Sequence, residues 1–422
     1  MTDARHTRSR HLRGLGRLTA EATLGLTELV EALHRTISAA PGALGPAPAG
    51  PVRGIPGLVY GKVRGATRLV SGGADAALDK LAPLLGELKP SPRRDVLLAV
   101  LNGVLGDHLE ASGNPLATPM HLRQNGAALG ANARFRDFAT AAAVGPGSDS
   151  ASPVPLRRLV LLVHGLCMNE AAWNREGNDY GAALERDLGF APAYLRYNTG
   201  RHVSINGREL AGLLETYLAA GPVPRQEVAI VAHSMGGLVT RSALHYAAEA
   251  GHAWPRLVGT IVFLGTPHHG APWERAGNVF QATLGVSPYS LPFAHLGKIR
   301  SAGITDLRHG SLLDDDWDGH DRFGHGGDNR HPVPLPSAVA CYAVAASTAS
   351  EPPAHGRRLA GDGIVPVESA LGHHRDPERT IPFPPERTWI ARGMNHYDLL
   401  GKPAVYERIR EWLGDGTGAA RD

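Results

Sequence analysis

Residues 228–244, VAIVAHSMGGLVTRSAL, decide the fold. Val228 to Ala232 form an apolar, partly β-branched run of strand length, and Met235 to Leu244 continue at once with apolar residues at helical spacing. Ser234 sits at the junction, inside Ala232-His233-Ser234-Met235-Gly236. A strand that turns sharply into a helix holds the intervening residue at strained angles. The positions two residues to either side must then be small, which Ala232 and Gly236 satisfy. The helix start behind Ser234 also presents free N–H groups and the positive end of a dipole. A Ser-Gly helix cap is the competing reading. The strand before and the helix after speak against it and predict a nucleophile at Ser234.

Working outward, strands and helices alternate. RRLVLLVHG, APAYLRYN and EVAIVAHS read as strands, and so do LVGTIVFLGTP, AVACYAVAAS and ERTWIARG. AWNREGNDYGAALERDLG, GRELAGLLETYLAA, GGLVTRSALHYAAEA and HYDLLGKPAVYERIREWLG read as helices. Short β-branched runs alternating with amphipathic helices predict an α/β domain, a mostly parallel sheet with helices on both faces.

Other parts of a nucleophilic site follow from position. His164-Gly165 ends the first strand, and in folds built around such a serine the next loop supplies an oxyanion donor. The backbone N–H groups of Leu166 and Met235 are therefore the expected oxyanion pair, each donor being worth about 3 kcal/mol in the transition state. The acid and then the base must follow the serine in the chain. Asp362, in GDGIVP after the strand AVACYAVAAS, is the expected acid; Asp306 and Asp314, Asp315 and Asp316 are rivals. His396, between the last strand and the last helix, is the expected base. Cys167 and Cys341 are read as packing residues, and two cysteines in 422 residues make no disulfide framework. His268 and His269 are assigned a supporting role near the site. In the loop DDDWDGHDRFGHGGDNRH no pair has a recognised ligand spacing, so it is read as a solvated acidic loop and no metal is expected.

Residues 144–155, VGPGSDSASPVP, read as a linker. Residues 1–145 are expected to be a helical region. Leu18 to Leu33 and Leu69 to Leu81 carry apolar residues at helical spacing, and DVLLAVLNGVLGDHL is apolar on most sides and so buried. Arg5, Arg8, Arg10, Arg13 and Arg17 crowd the start, as on a segment that meets an anionic surface or as on a solvated terminus. Residues 268–337 interrupt the alternation and read as a cap or lid, in which Leu291, Pro292, Phe293, Leu296, Leu312 and Leu313 could cover a pocket. A net charge of +3 gives no bulk field for nucleic acid. With no long apolar run and no secretory signal, the expected location is cytoplasmic, with a peripheral lipid surface as the alternative.

The segments HGLCMNEAAW, AHSMGGL, FLGTPHHGAP, GDGIVPVESALG and GMNHYDLL resemble those of lipase-like α/β hydrolases. They are most similar to the bacterial esterase/lipase group related to the inositol deacylases of glycosylphosphatidylinositol anchors. The resemblance covers residues 156–414 and implies the α/β-hydrolase fold. It maps the triad to Ser234, Asp362 and His396. It implies an ester or lipid substrate, cleaved through an acyl-enzyme without a cofactor. An acyltransferase, or a protein that binds a lipid or granule surface through its N-terminal helices, are the other functions considered.

Overall fold

The computed structural model describes residues 92–129, 157–175, 177–218, 226–271, 301–321, 328–351 and 359–415. The expected helices at 18–33 and 69–81, the arginine-rich start, the linker, and cap residues Leu291, Pro292, Phe293 and Leu296 lie outside them. Arg93–His108 and Thr118–Asp422 form one compact unit; Met1–Pro92 with Leu109–Ala117 form another, described only at 92 and 109–117.

The described elements begin with helix α1 (Pro92–Ala111) and the short strands β1 (His121–Gln124) and β2 (Ala127–Ala128). Then come β3 (Arg157–Val163), α2 (Tyr180–Leu188), β4 (Ala191–Arg196), α3 (Val203–Leu218), β5 (Gln226–His233), α4 (Met235–Glu249) and β6 (Val258–Leu264). After the long connection, which contains α5 (Ala302–Asp306), follow β7 (Ala340–Ser347), α6 (Val367–Ala370), β8 (Thr388–Arg392) and α7 (Pro403–Asp415). The strands make an eight-stranded sheet in the order β8-β7-β6-β5-β3-β4-β1-β2. From β8 to β4 every pairing is parallel; β1 runs antiparallel to β4 and to β2.

The near-continuous apolar strands of the sequence are explained by burial on both faces. Along β3, Leu159, Leu161 and Val163 face a core shared with Leu210, Leu214, Leu238 and Val239 of α3 and α4. Val160 and Leu162 face the opposite core, shared with Tyr180 and Leu184 of α2 and Val405, Ile409 and Leu413 of α7. The fold is that of an α/β hydrolase, with the strand order reversing beside β3. Ligand-binding loops in such sheets gather at the carboxyl ends of the strands.

Three local expectations differ from what is observed. The helix read at Ala172 begins only at Tyr180, because Asn174, Arg175, Asn178 and Asp179 first make a two-stranded ribbon. The Asp179 side chain then caps α2 through the Ala182 N–H. The last helix starts at Pro403 rather than at His396; a 3-10 turn, Asp398–Leu400, and Gly401 come before it. The region read as wholly helical also contributes β1, whose Leu122 is buried beside β4. Among the described residues no helix is long and apolar enough to cross a membrane.

Candidate active site

Ser234 stands between β5 and α4 with φ 55° and ψ −126°, a conformation L-residues rarely adopt. Two neighbours over-determine this strained turn. The Ser234 N–H donates to the Leu264 carbonyl at the end of β6 (2.8 Å). Gly236 lies so close to β3 that a Cβ there would stand 2.5 Å from the Val163 carbonyl oxygen. The small residue demanded by the sequence at 236 is thus a matter of backbone approach. α4 runs for 15 residues from this point, so its amino end and dipole lie at the serine.

The loop after β3 packs against the same turn. A Cβ on Gly165 would be 3.0 Å from Ser234 Cβ, which brings the peptide leading into Leu166 beside the serine. This loop is held from several sides. His164 stacks on Tyr197 with ring centroids 4.6 Å apart, and the Tyr197 hydroxyl donates to the His164 carbonyl (2.8 Å). Cys167 has φ 60° and donates its N–H to Thr199 Oγ1 (3.1 Å). Its thiol is buried, and burial pushes it up to about 12, so the sulfur is an inert packing group rather than a nucleophile. Met235, wholly buried, follows the serine as the first residue of α4.

Asp362 and His396 are paired. His396 Nδ1 lies 2.7 Å from Asp362 Oδ2, and both side chains are buried. The carboxylate is aimed by the chain around it: Oδ1 accepts the N–H groups of Ile364 (2.8 Å) and Val365 (2.7 Å). The His396 N–H donates to the Asp362 carbonyl (3.1 Å), which ties the two loops together. With Nδ1 committed to the carboxylate, Nε2 is the nitrogen left for proton transfer. The His396 ring reaches the serine's surroundings. A Cβ on Gly265, the residue after Leu264, would stand 3.1 Å from its Cε1 and Nδ1. The ring also lies 4.6 Å from that of His233, the residue before Ser234.

His233 carries a role that sequence reading missed. Its Nε2 meets the His396 carbonyl (3.1 Å), so the turn before Ser234 also fixes the loop of His396. Burial, and then the proximity of His396, hold it well below its ordinary pKa and keep it neutral. Burial likewise lowers His164 to about 4. The only signal for His233 was its place inside the elbow motif; Tyr197 and Thr199 gave none, since their contacts arise from strand order alone.

The rival acids are engaged elsewhere. Asp306 is buried in α5, bonded to His202 Nδ1 (2.9 Å) and to the Val203 N–H (2.7 Å) at the start of α3. Asp314 pairs with Arg208, and Asp316 accepts the N–H groups of Leu312 and Leu313. His268 and His269 do not touch Asp362 or His396: His268 approaches Arg241, and His269 Nε2 approaches the Gly372 carbonyl (2.9 Å). Leu312, read as cap material, is buried in the main core, and Leu313 packs against it.

Residues 157–326 match the family model described as PGAP1-like alpha/beta domain. No curated protein matches the chain. Among solved structures, similarity extends to EstA of Clostridium botulinum, with 10% identity, TM-score 0.40, and 79% of this chain and all of that one covered. The lin2722 gene product of Listeria innocua has 14% identity and TM-score 0.35 over 61% of this chain and 94% of its own. A Pyrobaculum calidifontis esterase has 12% identity and TM-score 0.35 over 62% of this chain and 77% of its own. None of these distant likenesses informs on substrate. The sheet is that of an α/β hydrolase, and residues 157–326 within it are similar to the PGAP1-like alpha/beta domain.

Proposed function

We propose that the protein hydrolyses carboxylic esters through Ser234, His396 and Asp362. The observation that carries this reading is the pairing of two sites 34 residues apart, His396 Nδ1 on Asp362 Oδ2, next to a serine held at φ 55° on a strand-to-helix turn. His396 Nε2 takes the Ser234 hydroxyl proton as Oγ attacks the ester carbonyl. The C=O π pair moves to oxygen, and the oxyanion is held by the N–H groups of Leu166 and Met235. The tetrahedral intermediate collapses, His396 returns the proton to the leaving alcohol, and the acyl group stays on Oγ. Water, deprotonated by His396, then releases the carboxylic acid and restores the serine. Asp362 keeps the imidazole in the required tautomer and stabilises its cation. No cofactor enters this scheme.

Buried histidines and backbone donors suit this chemistry, because a water-poor pocket strengthens each charge interaction on the developing oxyanion. Residues 268–337 are the cap in this reading, and the substrate is an ester or lipid molecule. If an alcohol rather than water takes the acyl group, the same residues perform acyl transfer. The test is labelling by a fluorophosphonate probe. The wild-type protein is expected to label at a single site and Ser234→Ala not at all, with an unchanged circular dichroism spectrum. Continued labelling of the alanine variant would place the nucleophile elsewhere. A panel of nitrophenyl esters of graded chain length, with and without added alcohol, then separates hydrolysis from transfer.

A further inference from the structure

Two turns along α4 from Ser234 lies an arginine in an unusual state. Arg241 is 5% exposed and reaches no carboxylate among the described residues. Its Nη1 lies 3.3 Å from His268 Nδ1, its Nη2 donates to the Val333 carbonyl, and its Nε has no partner among the described residues. Burial, and then the positive charge of nearby Arg330, lower it to about 9. His268 is fully buried; with Nδ1 facing Arg241, its Nε2 also has no partner among the described residues.

Both residues line a cavity of about 140 Å³ that includes none of Ser234, Asp362 or His396. Two other arginines in its wall already have carboxylate partners. Arg330 meets Asp328 at 2.7 Å, and Arg379 meets Asp328 at 3.3 Å and Asp376 at 3.5 Å. Glu378, the acidic residue of the lining, is exposed. Much of the remaining wall is apolar, with Leu312, Val333, Leu335 and Ile381.

A guanidinium buried with neutral acceptors alone recovers little of its lost hydration, and a counter-anion removes that cost. A guanidinium edge matches the two oxygens of a carboxylate. The apolar wall favours a ligand with a hydrocarbon tail over a hydrated inorganic ion, which would have to shed water against Leu335 and Ile381. We propose that this cavity binds a short-chain organic carboxylate, its oxygens on Arg241 and His268 and its alkyl tail along Leu335 and Ile381. The site is independent of the ester-hydrolysis reading.

The experiment titrates the full-length protein with hexanoate by calorimetry, with hexanol and inorganic phosphate as comparison ligands. Two variants accompany it. Arg241→Gln removes the charge, and Leu335→Trp fills the apolar wall while leaving every charge in place. Hexanoate is expected to bind wild type, and each variant to weaken it at least about tenfold, the scale of one charged hydrogen-bond partner. Hexanol and phosphate are expected to bind at least about tenfold more weakly than hexanoate. Absence of hexanoate binding, equal binding of hexanol, equal or tighter binding of phosphate, or affinity unchanged in a folded variant overturns the proposal. Should Arg241→Gln fail to fold, Leu335→Trp and the hexanol comparison decide. Loss of fluorophosphonate labelling bears only on the catalytic reading, so the two ideas fail separately.

Discussion

At the residue scale the site rests on how few freedoms its groups retain. Asp362 accepts two backbone N–H groups on one oxygen and His396 on the other, so the carboxylate cannot turn away from the imidazole. Asp362→Asn keeps the shape but favours the wrong tautomer of His396. We expect kcat for a soluble ester to fall about three to four orders of magnitude, with the melting temperature little changed. Asp306→Asn is the informative comparison. Its carboxylate holds His202 and the start of α3, so this variant is expected to lower the melting temperature and to spare most of kcat. The reverse pattern would transfer the acid's role to Asp306.

At the element scale, α1 packs against the loop that carries the proposed oxyanion donor Leu166, although it precedes the interval matched by motif. A Cβ on Gly103 would run into Cys167 Sγ and lie 2.9 Å from Cys167 Cα. Ser301 Oγ donates to the Gly103 carbonyl (2.6 Å), and Asp107 accepts the Ala302 N–H (2.9 Å). α1 is thereby wedged between the loop carrying Leu166 and the start of α5. Gly103→Val must push that loop aside, and under the proposed mechanism a displaced Leu166 donor costs about 3 kcal/mol of transition-state binding. The expected result is a kcat about a hundredfold lower with KM nearly unchanged. Restoration of kcat by adding Cys167→Ala, which vacates the sulfur, would tie the loss to this contact. An equal loss in both variants would mean general destabilisation.

At the scale of the whole molecule, burial depresses the pKa of His164, His233 and His268, and partial burial that of His269. Their folded forms resist protonation, whereas in the unfolded chain each takes a proton near its ordinary pKa of about 6.5. Stability from these groups is therefore full above pH 6.5 or so and is lost as pH falls toward about 4, where His164 and His269 protonate in the folded protein as well. Asp306, whose carboxyl is raised by burial, opposes the trend by one proton at most. Thermal melts from pH 7 to 5 should show a steady fall in melting temperature, and His164→Gln should flatten it. A melting temperature independent of pH in that window would contradict the buried neutral assignment.

Truncation belongs to the same scale. Deleting residues 1–145 removes α1 and also β1, uncovering the edge of β4 and Leu122's place in the core. An open parallel edge is prone to self-association. The truncated protein is expected to be aggregated and inactive on soluble and vesicular esters alike. A soluble truncation that keeps activity on a short ester and loses it only on vesicles would instead favour docking at a lipid surface by the N-terminal region.

What the amino-acid order determined by itself is whatever depends on local chemistry. The VAIVAHSMGG run contains both the strand and the helix it joins, and only small residues allow the turn at Ser234. The apolar runs of β3, β5, β6 and β7 needed burial on both faces, so a parallel sheet was legible before any neighbour was known. Asp362 and His396 were singled out by their order after the serine, whereas their bond is a tertiary fact. What the tertiary structure alone decided depends on which distant segments meet. β1 joins the sheet because its neighbour β4 offers an unpaired edge, and no periodicity in four residues could announce that. The ribbon that delays α2 depends on pairing across a turn rather than on helical spacing. Arg241 reads as an ordinary polar position on an amphipathic helix. Only the packing of His268 and Val333 over it removes its water and leaves a cation without a counter-charge among the described residues.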